Sequence, residues 1–588
     1  MRSKGILQLL VSVMMAATAV IPVQAGELPV TVVFTDPGLL DGTQDDTFRT
    51  VSVWQNDTAY LRLRISTAED ISLSVSAECG DPGIRIDLYE LMPVSASLGT
   101  GDPSVYPHIS VPDRMEPVQE MDLHAGEERW VAAEIRTEET AAPGSHTGTI
   151  RWTDGTDTVS EDFGIHVRDL VVPGERMSLD LWQYPWSSYY YYDSLQGKEP
   201  FGPEHLAVLQ KEMELYRDLG GNTITVSIID EPWSHQTYFD TPSLITWNRD
   251  ENGYIWFDFT YFDRWVELCT SLGIDGRIES FSILPFANVL YIHGADGSTE
   301  RLMPEVGSYE WNTIWGLFLE KYTEHLKEKG WLERTCMFID ERNEADMRTA
   351  AELIRSYRDA DGNGLKLACA LNTIPQDREL AEMMDYISLS VGTLPEDDPE
   401  FYAYLQTLRN KGIEVTLYNC STVYPNAFAF SEPNESVWTM AYIRSLGLDG
   451  YLRWAYNAWT ADPLHTFDFE NFEAGDTYLI YPDERDSADP VPVKSYRLCM
   501  IEEGMQEAAK YTYLMEHAGR GYIRRLLEDN SPVRRAQGRW NAYGAVTAGS
   551  QADKDLITAE VKRLGETIDR AAVLEEILPG FLLRLMER

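Results

Sequence analysis

Eight short apolar runs, most of them separated by stretches of helical periodicity, dominate the chain from Met177 to about residue 493. They read SLDLWQYPW, NTITVSIID, GRIESFSIL, TCMFID, LKLACAL, DYISLSV, EVTLYNC and GYLRWAYNAW. Runs this short and this apolar suit strands buried on both faces of a parallel sheet. Segments such as PEHLAVLQKEMELYRDL and YFDRWVELCTSL supply the helical layer that covers it. Eight repeats over roughly 320 residues predict a (β/α)8 TIM-type barrel, with the active site at the strand C-termini.

Upstream the texture differs. Alternating stretches such as TAYLRLRIS, ISLSVSA and RWVAAEIRT, punctuated by Gly, Pro, Asp and Asn, predict a β-sandwich. VRDLVVPGERM then carries a Pro-Gly break and reads as a linker. The first residues place Arg2 and Lys4 before an apolar run and VQA before Gly26, the pattern of a cleavable secretory signal. A retained membrane anchor is the alternative, since that run nears the ~20 residues a span requires. No cysteine lies in or just after the run, which argues against a lipoprotein. The expected organisation is a signal peptide at 1–25, a β-sandwich at 26–170, a catalytic barrel at 171–500 and a helical C-terminal region at 501–588. The mature protein is expected to be secreted or extracytoplasmic, with no integral membrane segment after cleavage.

A formal net charge of −46, spread along the chain, disfavours nucleic acid and anionic lipid as partners and fits a neutral substrate. The 16 Trp and 31 Tyr exceed the needs of packing, and exposed aromatics commonly bind sugars. Six scattered cysteines support neither a disulfide framework nor a CxxC metal site. No HxH, HExxH, GxSxG, phosphate loop or dinucleotide fingerprint is present, so no cofactor or metal is implied. His205, His235, His325 and His465 read as structural or pocket-edge residues. The oligomeric state is not legible.

Two pairs of adjacent carboxylates end predicted strands: Asp340 and Glu341 after strand four, and Asp230 and Glu231 after strand two. Either pair could be structural, and NEAD after the first could simply cap a helix through Asn343 or Glu344. Composition and spacing do not rank them. Ordinary glycosidases place two carboxyls ~5 to 9.5 Å apart across the scissile bond, which sequence neighbours rarely do. Side chains of neighbours in a regular strand point to opposite faces, so both reach one pocket only where the strand ends or bulges. One chemistry wants an adjacent Asp and Glu: the 2-acetamido oxygen of the substrate attacks the anomeric carbon, the Asp holds the amide N–H, and the Glu protonates the leaving oxygen.

The segments HLAVLQKEMELYRDLGGNTITVSIIDEPW, WFDFTYFDRWVELCTSLGID, FIDER, TLYNC, YPNAFAFSEPNE, LGLDGYLRWAYNAWTADPLH, AGDTYLIYP and KSYRLCMIEEGMQ resemble glycoside hydrolase family 123 over roughly residues 170 to 515. The resemblance implies a retaining, substrate-assisted β-N-acetylgalactosaminidase with Asp340 and Glu341 as its catalytic pair. It also implies sugar contacts from Trp454, Asn457 and Trp459 in LRWAYNAW and from Tyr418 in LYNC. Three departures from the family pattern, at Asn343, Phe286 and Phe472, would reshape the sugar pocket. The expected function is thus an exported exo-glycosidase releasing terminal β-linked N-acetylgalactosamine from a glycolipid, glycoprotein or oligosaccharide. Its competitors are a glycosidase of other specificity, for instance β-N-acetylglucosamine, and a non-catalytic carbohydrate-binding protein.

Overall fold

The structure, a computed structural model, describes residues 28–517 apart from 100–101, 175–176, 360, 373–377, 396–397 and 422, together with 525–527 and 551–586. The expected signal at 1–25 lies outside the described residues.

The chain divides into two compact units. The first is built on strands of two five-stranded sheets with antiparallel ladders. One orders the strands Val30–Thr35, Thr58–Thr67, Glu128–Thr137, Ile84–Ser97 and His108–Pro117; the other orders Thr50–Gln55, Thr158–Val171, Gly144–Thr153, Ile71–Cys79 and Glu120–Leu123. Period-two alternation sends Leu61, Leu63 and Ile65 from one sheet and Val53, Trp152 and Phe163 from the other into a shared core. The unit is not continuous in sequence, as the expectation of a single block at 26–170 required. Residues 37–43 and 91–116 belong to the second unit, and Val94, Ala96 and Val111 bury in its core.

The second unit is organised on an eight-stranded sheet with parallel ladders. Its strands are β1 (Ser178–Leu181), β2 (Ile224–Ser227), β3 (Ile278–Phe281), β4 (Thr335–Asp340), β5 (Lys366–Leu371), β6 (Tyr386–Ser390), β7 (Glu414–Tyr418) and β8 (Gly450–Arg453). Each falls inside one of the eight apolar runs. The order is β1-β8-β7-β6-β5-β4-β3-β2, so the sheet curls with β1 and β2 as its edges. A TIM-type barrel would close that seam with a backbone ladder. Here side chains bridge it: the Thr225 N–H donates to Gln183 Oε1 at 2.8 Å and the Gln183 N–H to Thr225 Oγ1 at 3.0 Å.

Helices cover the outer face: α1 (Pro203–Asp218), α2 (Thr260–Ser271), α3 (Tyr309–Lys329), α4 (Glu344–Ser356), α5 (Arg378–Met383), α6 (Pro399–Asn410) and α7 (Pro433–Ser445). Local chemistry sets their ends. Ser308 caps α3 by accepting the Trp311 N–H, and Gly330, at φ 74°, closes it in the left-handed conformation. α8 (Tyr496–His517) and α9 (Gln551–Met586) pack with α7, and α8 runs through the position where the barrel was expected to give way to a separate helical region. Segments after β2 and β3 form a further four-stranded sheet, in the order Ile255–Asp258, Thr246–Arg249, Leu290–Gly294, Thr299–Leu302.

Strand alternation gives the parallel sheet two apolar faces. In β4, Met337 and Ile339 join the outer core beneath the helices, while Cys336 and Phe338 join a separate inner cluster with Trp182, Trp233, Tyr418 and Trp454. That inner cluster includes Phe281, Tyr418 and Trp454, at or just past the ends of β3, β7 and β8.

Candidate active site

Asp340 is in phase with Cys336 and Phe338, so its side chain belongs to the inner face. Glu341, one residue on, would point outward in a regular strand. Its backbone instead adopts φ 47°, in the left-handed region, while its N–H still donates to Ala370 O of β5 at 2.9 Å. For a residue with a Cβ that conformation costs about 1–3 kcal/mol, and it turns the second carboxylate inward beside the first. There Glu341 Oε1 accepts from the Tyr418 hydroxyl at the end of β7, and Oε2 accepts from Asn372 Nδ2, just past β5, at 3.0 Å. Asn343 does cap α4, accepting the Asp346 N–H at 3.0 Å, so the capping and the inward pair coexist in one turn.

The two carboxyls differ in their partners. Both of Glu341's oxygens are held by donors, whereas Asp340 accepts no hydrogen bond among the described residues. Trp233 directs its indole N–H toward Asp340 without reaching hydrogen-bond geometry. Burial first, and the neighbouring Glu341 charge second, push the Asp340 pKa well above the usual carboxylate range; burial also raises Glu341, against the opposing bonds from Tyr418 and Asn372. Two such groups side by side favour a state that holds one proton between them. Tyr418 is raised as well, by burial and then by the Glu341 charge, so it stays a donor.

This arrangement has a consequence for stability. A carboxyl whose pKa is raised by folding contributes its full stability below its unfolded pKa and loses it as pH rises through the folded pKa. Asp340→Asn removes that loss. The variant is expected to melt above the parent at about pH 8, by a margin that shrinks toward about pH 4, as thermal unfolding across that range would show.

The competing pair after β2 is spent on its own loop. Asp230 accepts the Ser243 N–H at 2.7 Å, and Glu231 accepts the Thr241 N–H at 2.6 Å and the His235 N–H at 3.3 Å. Glu231 has the same left-handed turn, at φ 52°, but its carboxylate closes backbone. With His235 and Asp240 it also forms a group of three metal-capable side chains whose ligand atoms lie within 4.8 Å of one another.

Of the other sequence-predicted residues, Tyr418 is brought to the pair and Trp454 to the inner cluster, its ring 4.6 Å from Phe472. The indole N–H of Trp454 faces Asp476, which pairs with buried Arg453 at 2.8 Å. Gly475 holds that loop close: at φ 83°, an added Cβ would lie 2.8 Å from Ala429 N. Phe286 packs at the edge of the cluster, and its carbonyl accepts from Arg342 Nη1 at 3.2 Å.

A profile described as the glycoside hydrolase 123 catalytic domain matches residues 182–514, more than half of the chain. The chain belongs to glycoside hydrolase family 123. A family 123 glycoside hydrolase from Clostridium perfringens, solved in work on glycolipid glycan hydrolysis, superposes on this hydrolase with a TM-score of 0.85 at 25% identity, covering 94% of this chain and 100% of that one. A glycoside hydrolase candidate from Bacteroides vulgatus (TM-score 0.32, 10% identity, 79% and 78% covered) and a β-glucuronidase from Parabacteroides merdae (0.29, 11%, 79% and 51%) are too distant to carry an argument. No curated protein matches.

Two residues expected to line the sugar site of this glycoside hydrolase lie elsewhere. Trp459 is fully buried in the outer core against Tyr191 and Tyr192, and its indole N–H donates to Ile480 O at 2.8 Å. Asn457 is also buried; it accepts the Tyr184 N–H at 2.8 Å and donates to Glu212 at 2.7 Å, leaving it a support for Tyr184. Burial raises the Glu212 pKa to about 8. Both residues were assigned to the site because they share a segment with Trp454, but past Arg453, where β8 ends, Trp454, Ala455 and Ala458 join the inner cluster while Trp459 packs in the outer core. Trp459→Ala is expected to lower stability by about 3–5 kcal/mol with kcat/KM of the folded fraction retained, measurable by denaturant titration and kinetics. Asn372, Trp233 and Tyr184 escaped the sequence reading. Their one signal was position, each just beyond the end of a strand.

Proposed function

We propose that this family 123 hydrolase is an exported, retaining exo-glycosidase that releases terminal β-linked N-acetylgalactosamine through participation of the substrate's acetamido group. One observation carries the reading: in an aromatic cluster, Asp340 presents a carboxylate that only the Trp233 indole N–H approaches, short of hydrogen-bond geometry, beside a Glu341 whose two oxygens are both held. A substrate acetamido N–H would supply the missing donor. That bond favours ionised Asp340, and the shared proton then resides on Glu341.

In the first step the acetamido oxygen attacks C1 as the glycosidic bond breaks. Glu341 gives its proton to the departing oxygen, and Asp340 steadies the positive charge of the oxazolinium. In the second, Glu341 takes a proton from water, which attacks C1 and reopens the ring with net retention. The curled sheet is read here as a TIM-type barrel whose β1–β2 seam is closed through Gln183 and Thr225, with this chemistry at its C-terminal end. The solved relative's work on glycolipid glycans supports a glycolipid as one substrate class, and the charged-then-apolar segment at 1–25 supports export.

Hydrolysis of aryl glycosides tests the reading. Turnover of the N-acetylgalactosamine derivative, with none of the galactose derivative, is the expected result. Preference for the N-acetylglucosamine derivative would change the sugar, turnover of the galactose derivative would overturn acetamido participation, and binding without turnover would make the protein a lectin.

A further inference from the structure

The four-stranded sheet inserted after β2 and β3 buries one face and leaves the other in water. Trp247 and Ile292 point into the core. On the opposite face the register places Trp256 across from Asn248, Asn248 beside His293, and His293 across from Thr299. Trp256 is 50% exposed, and Tyr254, in the same phase one residue before its strand, is 73% exposed. Isolated exposed rings are ordinary on protein surfaces. Two in phase on an edge strand, Trp256 in a row with Asn248 and His293 and Tyr254 beside Asp250, make an aromatic face with polar neighbours.

One contact links this face to the loop that carries Trp233 toward the candidate site. His293 Nε2 lies 3.5 Å from Asp230 Oδ2, in the loop past β2, and Trp233, three residues further on, faces Asp340. Two strand spacings, about 10 Å, separate Trp256 from His293. The net charge of −46 disfavours a polyanion as occupant. Asn248 Nδ2 donates to Thr246 O at 3.1 Å and His293 Nδ1 meets Thr299 Oγ1 at 3.2 Å, so the exposed rings carry the recognition, and such rings suit the apolar faces of neutral sugars.

We propose that the face bearing Tyr254, Trp256, Asn248 and His293 binds the sugar chain on the leaving-group side of the scissile bond, extending recognition beyond the residue released. The proposal rests on the glycosidase reading above. Its discriminating measurement is the ratio of kcat/KM on a neutral tetrasaccharide ending in β-linked N-acetylgalactosamine to kcat/KM on the aryl glycoside, which has no such chain. Covering a sugar-sized patch of one ring is worth about tenfold in affinity, so Trp256→Ala should lower the ratio about tenfold. Trp256→Phe, which keeps a ring, should recover most of it. An unchanged ratio in Trp256→Ala, or an equal fall on both substrates, overturns the proposal. If the parent cleaves neither substrate, it is the glycosidase reading that has failed. Calorimetric binding of the same tetrasaccharide then decides the platform by itself: tenfold weaker binding to Trp256→Ala supports it, and equal binding overturns it.

Discussion

Glu341→Gln is expected to lower turnover of an unactivated glycan by about 10²–10⁴-fold, the usual worth of a positioned acid, and turnover of an aryl glycoside with a good leaving group far less. A departing sugar oxygen is too basic to leave without a proton, whereas a nitrophenolate departs unaided. A left-handed turn brings Glu341 inward, and burial raises its pKa. An acid must be protonated to act and Asp340 must be ionised, so the rate on unactivated glycans should fall below the lower apparent pKa of the Asp340–Glu341 pair and again as pH rises through the upper one. Gln should abolish that basic limb. Rate measurements on both substrates across pH provide the check; equal losses on both, or a limb that persists in the variant, would assign the proton to another group.

Asp340→Asn is the second large effect, an expected loss of about 10²–10³ in kcat, the scale seen when one preorganised electrostatic partner of a transition state is removed. Asn is nearly isosteric, so the loss reports charge. A thiazoline that mimics the cyclised intermediate should inhibit the parent strongly, because the site stabilises that species more than the substrate, and Asp340→Asn should lose most of this inhibition. No ester between sugar and enzyme forms in this scheme, and a 2-fluoro glycoside should leave the protein mass unchanged. Labelling of Asp340 or of any other carboxylate would sink the scheme and indicate a two-carboxylate enzyme. Together with the higher melting temperature expected of the same variant, the loss of kcat would show Asp340 held at a cost to the fold for the sake of its chemistry.

The eight strands were legible because a parallel strand buried on both faces must be short and apolar, and each of the eight runs contains one. Segment neighbours of a site residue proved a poor guide. Trp454 and Trp459 share one run, yet the ladder ends at Arg453, and the two rings then enter different cores. The first domain boundary was blurred for a similar reason: two long strands each contribute to both compact units, and composition does not change where they do so.

The amino-acid sequence by itself determined where the carboxylate pairs stand, since each follows an apolar run that can only be a buried strand, and through its family pattern it favoured Asp340 and Glu341. Only the tertiary structure separated the pairs physically. Both make the same left-handed turn, with Glu231 at φ 52° and Glu341 at φ 47°. What distinguishes them is what faces each carboxylate: backbone N–H groups of its own loop for Glu231, and Tyr418 and Asn372 for Glu341. Those partners lie 77 and 31 residues away in the chain. Spacing along the chain carries no information about which strand ends converge; the curl of the sheet does.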